Sequence, residues 1–556
     1  MKLVECVPNF SEGQDKSVIE AITAAIRSVA GVRVLDVDPG AATNRTVYTF
    51  AGSPDTVLEA AFAAIAKGAE LIDMRRHKGE HARQGACDVC PFVPIADVTM
   101  AECVDLAKRL GERVGRELKI PVYLYAEAAQ RPERRRMPDI RVGEYEALEE
   151  KLKEPQWAPD YGPAEFNARS GATVIGARNF LIAYNINLNT RSVNIAKRIA
   201  NRVREKGGNQ RGPDGKFVRD AAGNPLQEPG MFKSVQGTGW LIPEYNRAQI
   251  TVNILDIDAS PVHKVYDACC DLAAQLGCRV TGSEIVGMVP KRVMVEAGRY
   301  FLKKQGVSTG VSEREIVRCA VQSFGLEDVA PFDPTQKIIE ERFTDAMPLA
   351  DMTLTGFIDE LAADSPAPGG GSVAALSGAL AASLASMVAA LTHGKRIYEQ
   401  VWDDMEKLGV TAQKLKDLQL AAIDADTAAF DAVMAAMRLP KETPAQKKER
   451  AAALLAATKT ATLVPLQTLE RTIPTLELAA LAAEKGNPNS LSDAGVAALM
   501  ARAAAYGAYY NVLINLPGID DEKWRRLTRT KAEALVEEAR DLADGVERTI
   551  LERLGK

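Results

Sequence analysis

The hydrophobic pattern divides these 556 residues into a portion where strands and helices alternate and a portion that is helical throughout. Lys2–Phe10 places Leu3, Val4 and Val7 in a strand that ends at Pro8-Asn9-Phe10. A helical repeat runs from about Asp15 to Ser28. Val32–Val37 and Arg45–Gly52 read as strands joined by a turn at Asp38-Pro39-Gly40, because Pro and Gly supply turn backbone. Ser53–Leu71 reads as a helix capped by Ser53, with Pro54 in its first turn. After a loop at 76–91 come a strand at Phe92–Val98, a helix at Thr99–Leu118 and a strand at Val122–Tyr125. That βαββαβ-like order with an extra helix predicts an α/β sandwich, one sheet with helices on one face.

A second block repeats the grammar: a strand at Phe180–Leu188, a helix at Ser192–Glu205, strands near Ser234–Leu241 and Gln249–Asp256, a helix at Val262–Leu276 and a strand at Val280–Val289. Residues 206–230, rich in Gly, Pro, Asn and Asp, read as a mobile excursion, and 291–326 as helical. From 354 onward the segments Leu354–Ala362, Ser372–Leu391, Tyr398–Met437, Pro444–Lys485, Asp493–Ile514 and Glu522–Leu554 are dense in Ala and Leu. They predict an up-and-down helical bundle, with Pro465 and Pro474 kinking or dividing their segment. The expected organisation is therefore 1–178 and 179–327 as two α/β sandwich subdomains, 328–352 as a linker and 353–556 as an all-α bundle. A cleft between two such subdomains is where a small ligand is expected.

Composition removes several functions. A net charge of -5 without long Lys/Arg runs argues against a nucleic-acid surface. Eight scattered cysteines, none beyond Cys319, read as free thiols of a reducing, cytoplasmic compartment. No signal-peptide core follows Met1-Lys2. Ser365–Gly394 carries no formally charged side chain and is long enough to span a bilayer. It is mostly Ala, Ser and Gly and opens with Pro366 and Pro368, so a helix buried within a soluble protein, not a membrane span, is expected.

Candidate chemistry concentrates in Arg76–Pro91. Two of the chain's four histidines, His77 and His81, lie there four apart, suited to proton transfer near neutral pH. Gly79, Gly85 and Pro91 predict a loop, and Arg75, Arg76, Lys78 and Arg83 form a cationic rim for carboxylates. His77, His81, Cys87 and Cys90 offer a zinc set as an alternative, opposed by the basic rim and the single CxxC pair, and a solvated loop with structural histidines is a third reading. In the helical half, Gly369-Gly370-Gly371-Ser372 opens a helix and offers backbone N–H groups to an anion, or else is a hinge capped by Ser372. Asp426 shares a helix face with Leu418, Ala422, Ala429, Phe430, Val433 and Met434. A carboxyl on an apolar face has a raised pKa and suits a general acid, unless it reaches solvent from the helix shoulder. Asp424, about 200° around the helix, is the weaker candidate.

These stretches resemble a known family. Cys6-Val7-Pro8-Asn9-Phe10-Ser11-Glu12-Gly13, Thr43-Asn44-Arg45-Thr46-Val47-Tyr48, the Arg76–Pro91 loop and Gly176-Ala177-Arg178 are similar to glutamate formiminotransferase. The stretch from Asp364 to Ser372, Asp424-Ala425-Asp426, Arg438-Leu439-Pro440-Lys441-Glu442 and Asn511-Val512-Leu513-Ile514-Asn515 resemble formiminotetrahydrofolate cyclodeaminase. Their order resembles the fused formiminotransferase-cyclodeaminase family over nearly the whole chain. The resemblance implies transfer of a formimino group from N-formimino-L-glutamate to N5 of tetrahydrofolate, then closure to 5,10-methenyltetrahydrofolate with loss of ammonia. It places the transferase acid/base on His81 and the cyclodeaminase acid on Asp426. Folate binding falls on Gly162, Pro163, Ala164, Glu165, Phe166, Asn167, Ala168, Arg169, Ser170 and Gly171. Arg45 and the basic rim are expected to hold the donor's carboxylates, and Gly369, Gly370, Gly371 and Ser372 the glutamate carboxylate of folate. The family forms ring-like homo-oligomers built from dimers, and folate serves as co-substrate, polyglutamylated or not, with no metal required. The 206–230 excursion is long for the family. The alternative is a formiminotransferase alone, its helical half serving only assembly.

Overall fold

The computed structural model describes residues 2–555 other than 42, 80, 211, 213–215, 245, 345 and 346. The chain forms two compact units, one from 1–293 with 324–343 and the other from 294–323 with 344–556.

The first unit opens with β1 (Leu3–Cys6), β2 (Asn9–Phe10), α1 (Lys16–Arg27), β3 (Arg33–Gly40), β4 (Arg45–Gly52) and α2 (Pro54–Leu71). It continues through β5 (Cys87–Ala96), α3 (Met100–Arg113), β6 (Val122–Ala126) and β7 (Thr173–Ala177). Asp15 caps α1 by accepting from the Ser17 N–H, and Thr99 with Glu102 forms a reciprocal capping box on α3. These strands make one seven-stranded sheet in which β1 and β2 lie between β4 and β5, β3 flanks β4, and β5, β7 and β6 run parallel. Ile22 and Ile26 of α1, Val57 and Ile65 of α2, and Leu106 and Leu110 of α3 are buried against Val4, Phe50 and Phe92 on one face. The other face is not bare: Val89, Tyr123 and Val174 pack on Ile140, Leu148 and Leu152, from a stretch the hydrophobic pattern left without elements.

Three local expectations change. Asp38-Pro39-Gly40 is the end of β3, paired with β4 through Gly40 and Arg45, not the turn. The final residues of the predicted loop, Cys87–Pro91, belong to β5. Pro91 lacks a donor, but its carbonyl accepts from the Val7 N–H at 3.2 Å. The same unit holds a four-stranded antiparallel sheet of Ile182–Leu188, Val235–Ile242, Arg247–Ile254 and Val280–Val286. In the excursion, Gly208–Asn209 pairs with Gln227–Glu228, so its described part carries ordered β pairing where mobility was expected.

The second unit is helical among its described residues, with long helices Gly370–Thr392, Trp402–Met437, Pro444–Lys485, Leu491–Asn515 and Glu522–Leu554. Small residues let these helices approach closely: Ala381, Ala385, Ala497, Ala501, Ala505 and Ala508 are buried at their contacts. Gly370–Thr392 is long and apolar enough to cross a membrane, and more than half of its most apolar window is buried in the protein. Pro465 and Pro474 sit inside Pro444–Lys485 without dividing it. Proline at 465 frees the carbonyl four residues earlier, and the Asn515 amide donates to that Ala461 carbonyl at 2.8 Å.

Candidate functional site

The two histidines of the loop have different surroundings. His77 Nε2 lies 2.8 Å from the Asn44 carbonyl, and Arg83 Nε donates to His77 Nδ1 at 3.3 Å. Both ring nitrogens are occupied by structural bonds, Nε2 as donor and Nδ1 as acceptor. His81 Nδ1 lies 2.6 Å from the Ala82 carbonyl. A carbonyl only accepts, so Nδ1 carries the proton and Nε2 holds the basic lone pair. Burial, then the Arg45 guanidinium, pushes the His81 pKa below its ordinary value. His81 is therefore a neutral base at pH 7. Glu80 lies outside the described residues.

Beside His81 is a buried charge network. Asp88 is fully buried, and its Oδ2 accepts from Arg45 and Arg141, each at 2.5 Å. Its Oδ1 accepts from the Gln84 N–H at 3.0 Å, and Arg45 Nε also donates to Asn9 Oδ1 at 3.1 Å. The cationic rim is less available than its composition suggested. Arg75 is bonded to Asp73, and Arg83 is buried against Glu144 and Glu146 at 3.1 and 2.6 Å. Cys87 and Cys90 are buried thiols with pKa values raised well above the ordinary one by burial and, for Cys90, by its Cys6 contact. No cluster of three or more His, Cys, Asp or Glu side chains stands together among the described residues.

The Gly162–Gly171 segment lies against this loop. The Ala86 N–H donates to the Ser170 carbonyl at 2.8 Å and the Ala172 N–H to the Gln84 carbonyl at 3.0 Å. Gly171, at φ 65°, packs so close to Gln84 that a Cβ there would fall 2.3 Å from its carbonyl oxygen. Gly162, at φ 82°, packs likewise on Ile120, and Pro163, Ala164 and Glu165 follow in an exposed or half-exposed run. Phe166 stacks near Tyr145, whose hydroxyl donates to the Ala168 carbonyl at 2.5 Å. Asn167 Oδ1 accepts from the Ser170 N–H at 2.9 Å, closing the turn. Arg169 donates to the Ala69 and Glu70 carbonyls, capping the end of α2. The structure thus brings His81, Arg45 and the 162–171 segment into one neighbourhood.

In the helical unit, Gly369 caps Gly370–Thr392 and Asp426 lies at its first turn. A Cβ on Gly371 would meet the Asp426 carboxyl oxygens at 2.2 and 2.4 Å, so only glycine admits the acid there. Ser372 Oγ donates to the Ile423 carbonyl at 2.9 Å and stands 3.4 Å from Asp426 Oδ2 and 3.3 Å from Thr427 Oγ1. Asp426 is half-buried, and burial raises its pKa against the opposing Ser372 hydrogen bonds. The anion nearest this helix N-terminus is accordingly the chain's own acid. The expected apolar stripe is incomplete: Ala422 and Ala429 are buried, but Leu418 is exposed, about 80° around the helix from Asp426. Asp424 is structural, accepting from the Leu349 and Ala350 N–H groups at 2.8 and 3.1 Å.

Asp88, Arg141, Gln84 and Asn511 were not singled out as site residues from the sequence. Asp88 and Gln84 lie within the quoted histidine stretch and Asn511 within a quoted motif, but Arg141 carries no local signal. Asn511 Nδ2 sits where a Gly370 Cβ would come within 3.3 Å.

Three family models match the chain in order. Residues 3–178 match the formiminotransferase domain, N-terminal subdomain, residues 183–344 the formiminotransferase domain and residues 353–534 the formiminotransferase-cyclodeaminase model. The chain is 44% identical to formimidoyltransferase-cyclodeaminase of Gallus gallus over 97% of both chains. It is 43% identical to glutamate formimidoyltransferase of Thermoplasma acidophilum over 58% of this chain and 99% of that one. Methenyltetrahydrofolate cyclohydrolase of Methylorubrum extorquens is 42% identical over 36% of this chain and 95% of its own length. With these family models matched in order along the chain and 44% identity over 97% of both chains, the chain belongs to the formimidoyltransferase-cyclodeaminase family.

Proposed function

We propose that the first unit transfers the formimino group of N-formimino-L-glutamate to N5 of tetrahydrofolate and that the helical unit closes the product to 5,10-methenyltetrahydrofolate with loss of ammonia. The observation that carries this reading is His81: a neutral imidazole whose Nε2 has no hydrogen-bond partner among the described residues, beside buried guanidinium groups and the 162–171 segment. N5 attacks the formimino carbon, His81 Nε2 takes the N5 proton, and the imidazolium returns it to the departing glutamate nitrogen. Tetrahydrofolate lies along 162–171, where half-exposed Phe166 offers an aromatic face.

In the helical unit N10 attacks the same carbon, now attached at N5. The N10 proton passes to the formimino nitrogen, making it an amino group, and Asp426, whose pKa burial raises, protonates that group so that it leaves as ammonia. Gly369, Gly370 and Asn511 border the acid and serve the folate chain. Water as the nucleophile on the methenyl carbon is the second reading, favoured by the cyclohydrolase relative of this unit. The eight free thiols support a reducing, cytoplasmic setting, and exposed Leu380, Met387 and Leu391 on one helix support a homo-oligomer.

The test follows glutamate, ammonia and methenyltetrahydrofolate separately after supplying both substrates. All three are expected in equal amounts. Glutamate release without ammonia leaves the transferase alone. Formyltetrahydrofolate accumulating enzymatically from supplied methenyltetrahydrofolate supports the hydrolytic reading.

A further inference from the structure

The carboxylate of Asp88 is shared by two guanidinium groups, and both ion pairs are largely buried: Arg45 and Arg141 side chains are 10% and 15% exposed and Asp88 is 0%. Among the described residues no other carboxylate is paired with either arginine. One positive charge is therefore left over among the described residues, in a place poor in water, and an unbalanced buried charge is costly unless an anion joins it. Two further groups at the same spot are unanswered. Arg141 Nε is buried with no acceptor among the described residues, and the Gln84 amide, 0% exposed, has no partner among them for either its nitrogen or its oxygen. Gln84 is tied to the network through its own N–H on Asp88. Both arginines and Asp88 act on the charge of His81, which places the network within electrostatic reach of the proton-transferring ring.

We propose that Arg141, oriented with Arg45 by Asp88, receives the α-carboxylate of the formimino donor, with the Gln84 amide bordering the same pocket. This rests on the transferase reading. In N-formimino-L-glutamate the α-carboxylate is separated from the reacting carbon only by the donor nitrogen and Cα, whereas the γ-carboxylate is remote. A cation close to His81 thus matches the α group. Asp88 keeps the two guanidinium groups from repelling each other and leaves one unit of positive charge for the ligand. Arg141 is a binding residue in this account, and Asp88 a positioning residue.

The test uses two donors, N-formimino-L-glutamate and 4-formimidoylaminobutanoate, which lacks only the α-carboxylate. The parent chain is expected to prefer the first in kcat/KM by roughly ten- to a hundredfold, the size expected of a charge-assisted hydrogen bond. Arg141→Ala should bring that ratio toward unity, through KM for the glutamate compound, and Arg141→Lys should restore part of it. Because the readout is a ratio on one preparation, poor folding reduces both rates and leaves the ratio intact. An undiminished preference in both Arg141 variants overturns the assignment. If the parent chain turns over neither donor, it is the transferase reading that fails.

Discussion

Asp424 and Asp426 stand two residues apart on one helix, yet their surroundings separate their roles. Asp424 accepts two backbone N–H groups, so Asp424→Ala should lower stability by about 1 kcal/mol, as loss of a capping carboxylate does, with the cyclisation rate of the folded fraction unchanged. Asp426→Asn keeps the shape but cannot give up a carboxyl proton. It should slow cyclisation of 5-formiminotetrahydrofolate by about a hundred- to ten-thousandfold while thermal melting stays near that of the parent chain. Equal effects of the two changes on rate would refute the division. Because burial raises the Asp426 pKa, its acid form should persist to a higher pH than an ordinary carboxyl. Glu5 gives the matching prediction for stability. It is buried in β1, and burial pushes its pKa to about 7 despite Arg178. The folded state then holds a proton that the unfolded chain has released between about pH 4.5 and 7, so this residue's contribution to stability falls as pH rises through that window. Glu5→Gln should be more stable than the parent at pH 8 by up to about 3 kcal/mol, with the difference closing near pH 4. Chemical denaturation at the two pH values measures it.

At the scale of the element, a helix N-terminus and an aspartate share space that only a missing side chain provides. Gly371→Ala drives a methyl group into the Asp426 carboxyl. Its cyclodeaminase rate should fall at least tenfold while glutamate release from the other unit is untouched; two unaltered rates would show that the close approach is unimportant. The long helix Pro444–Lys485 makes a second case. It survives Pro465 because Asn515 answers the freed Ala461 carbonyl from a neighbouring helix. Asn515→Leu strands that carbonyl and should cost about 1–3 kcal/mol in the melting of the helical unit.

For the whole molecule, the two chemistries reside in units that fold around separate cores. His81→Ala should abolish glutamate release yet still convert supplied 5-formiminotetrahydrofolate to methenyltetrahydrofolate. Asp426→Asn should release glutamate and stall before ammonia. Mixing the two variants should restore flux from formiminoglutamate, since the product of one is the substrate of the other. A mixture as inactive as its parts, with each variant's remaining step intact, would mean that the intermediate does not leave its site.

The sequence by itself determined most of the local elements and named candidate residues for both reactions. Period-two and period-3.6 patterns depend only on neighbours along the chain, so β4, α2 and the long helices were legible to within a few residues. His81 and Asp426 stood out as candidates because a scarce histidine pair and a carboxyl on an apolar helix face lie in short motifs. Only the tertiary structure decided that His77 has both ring nitrogens bonded, since Asn44 comes from another segment and Arg83 folds back on it from later in the loop. It also took Arg83 out of the cationic rim, giving it to Glu144 and Glu146, and set Arg169 of the 162–171 segment on the end of α2. Arg141 joined the site through Asp88, 53 positions earlier in the chain, with no local pattern to announce it. Proton affinity and charge balance depend on groups brought together in space, and distance along the chain does not encode them.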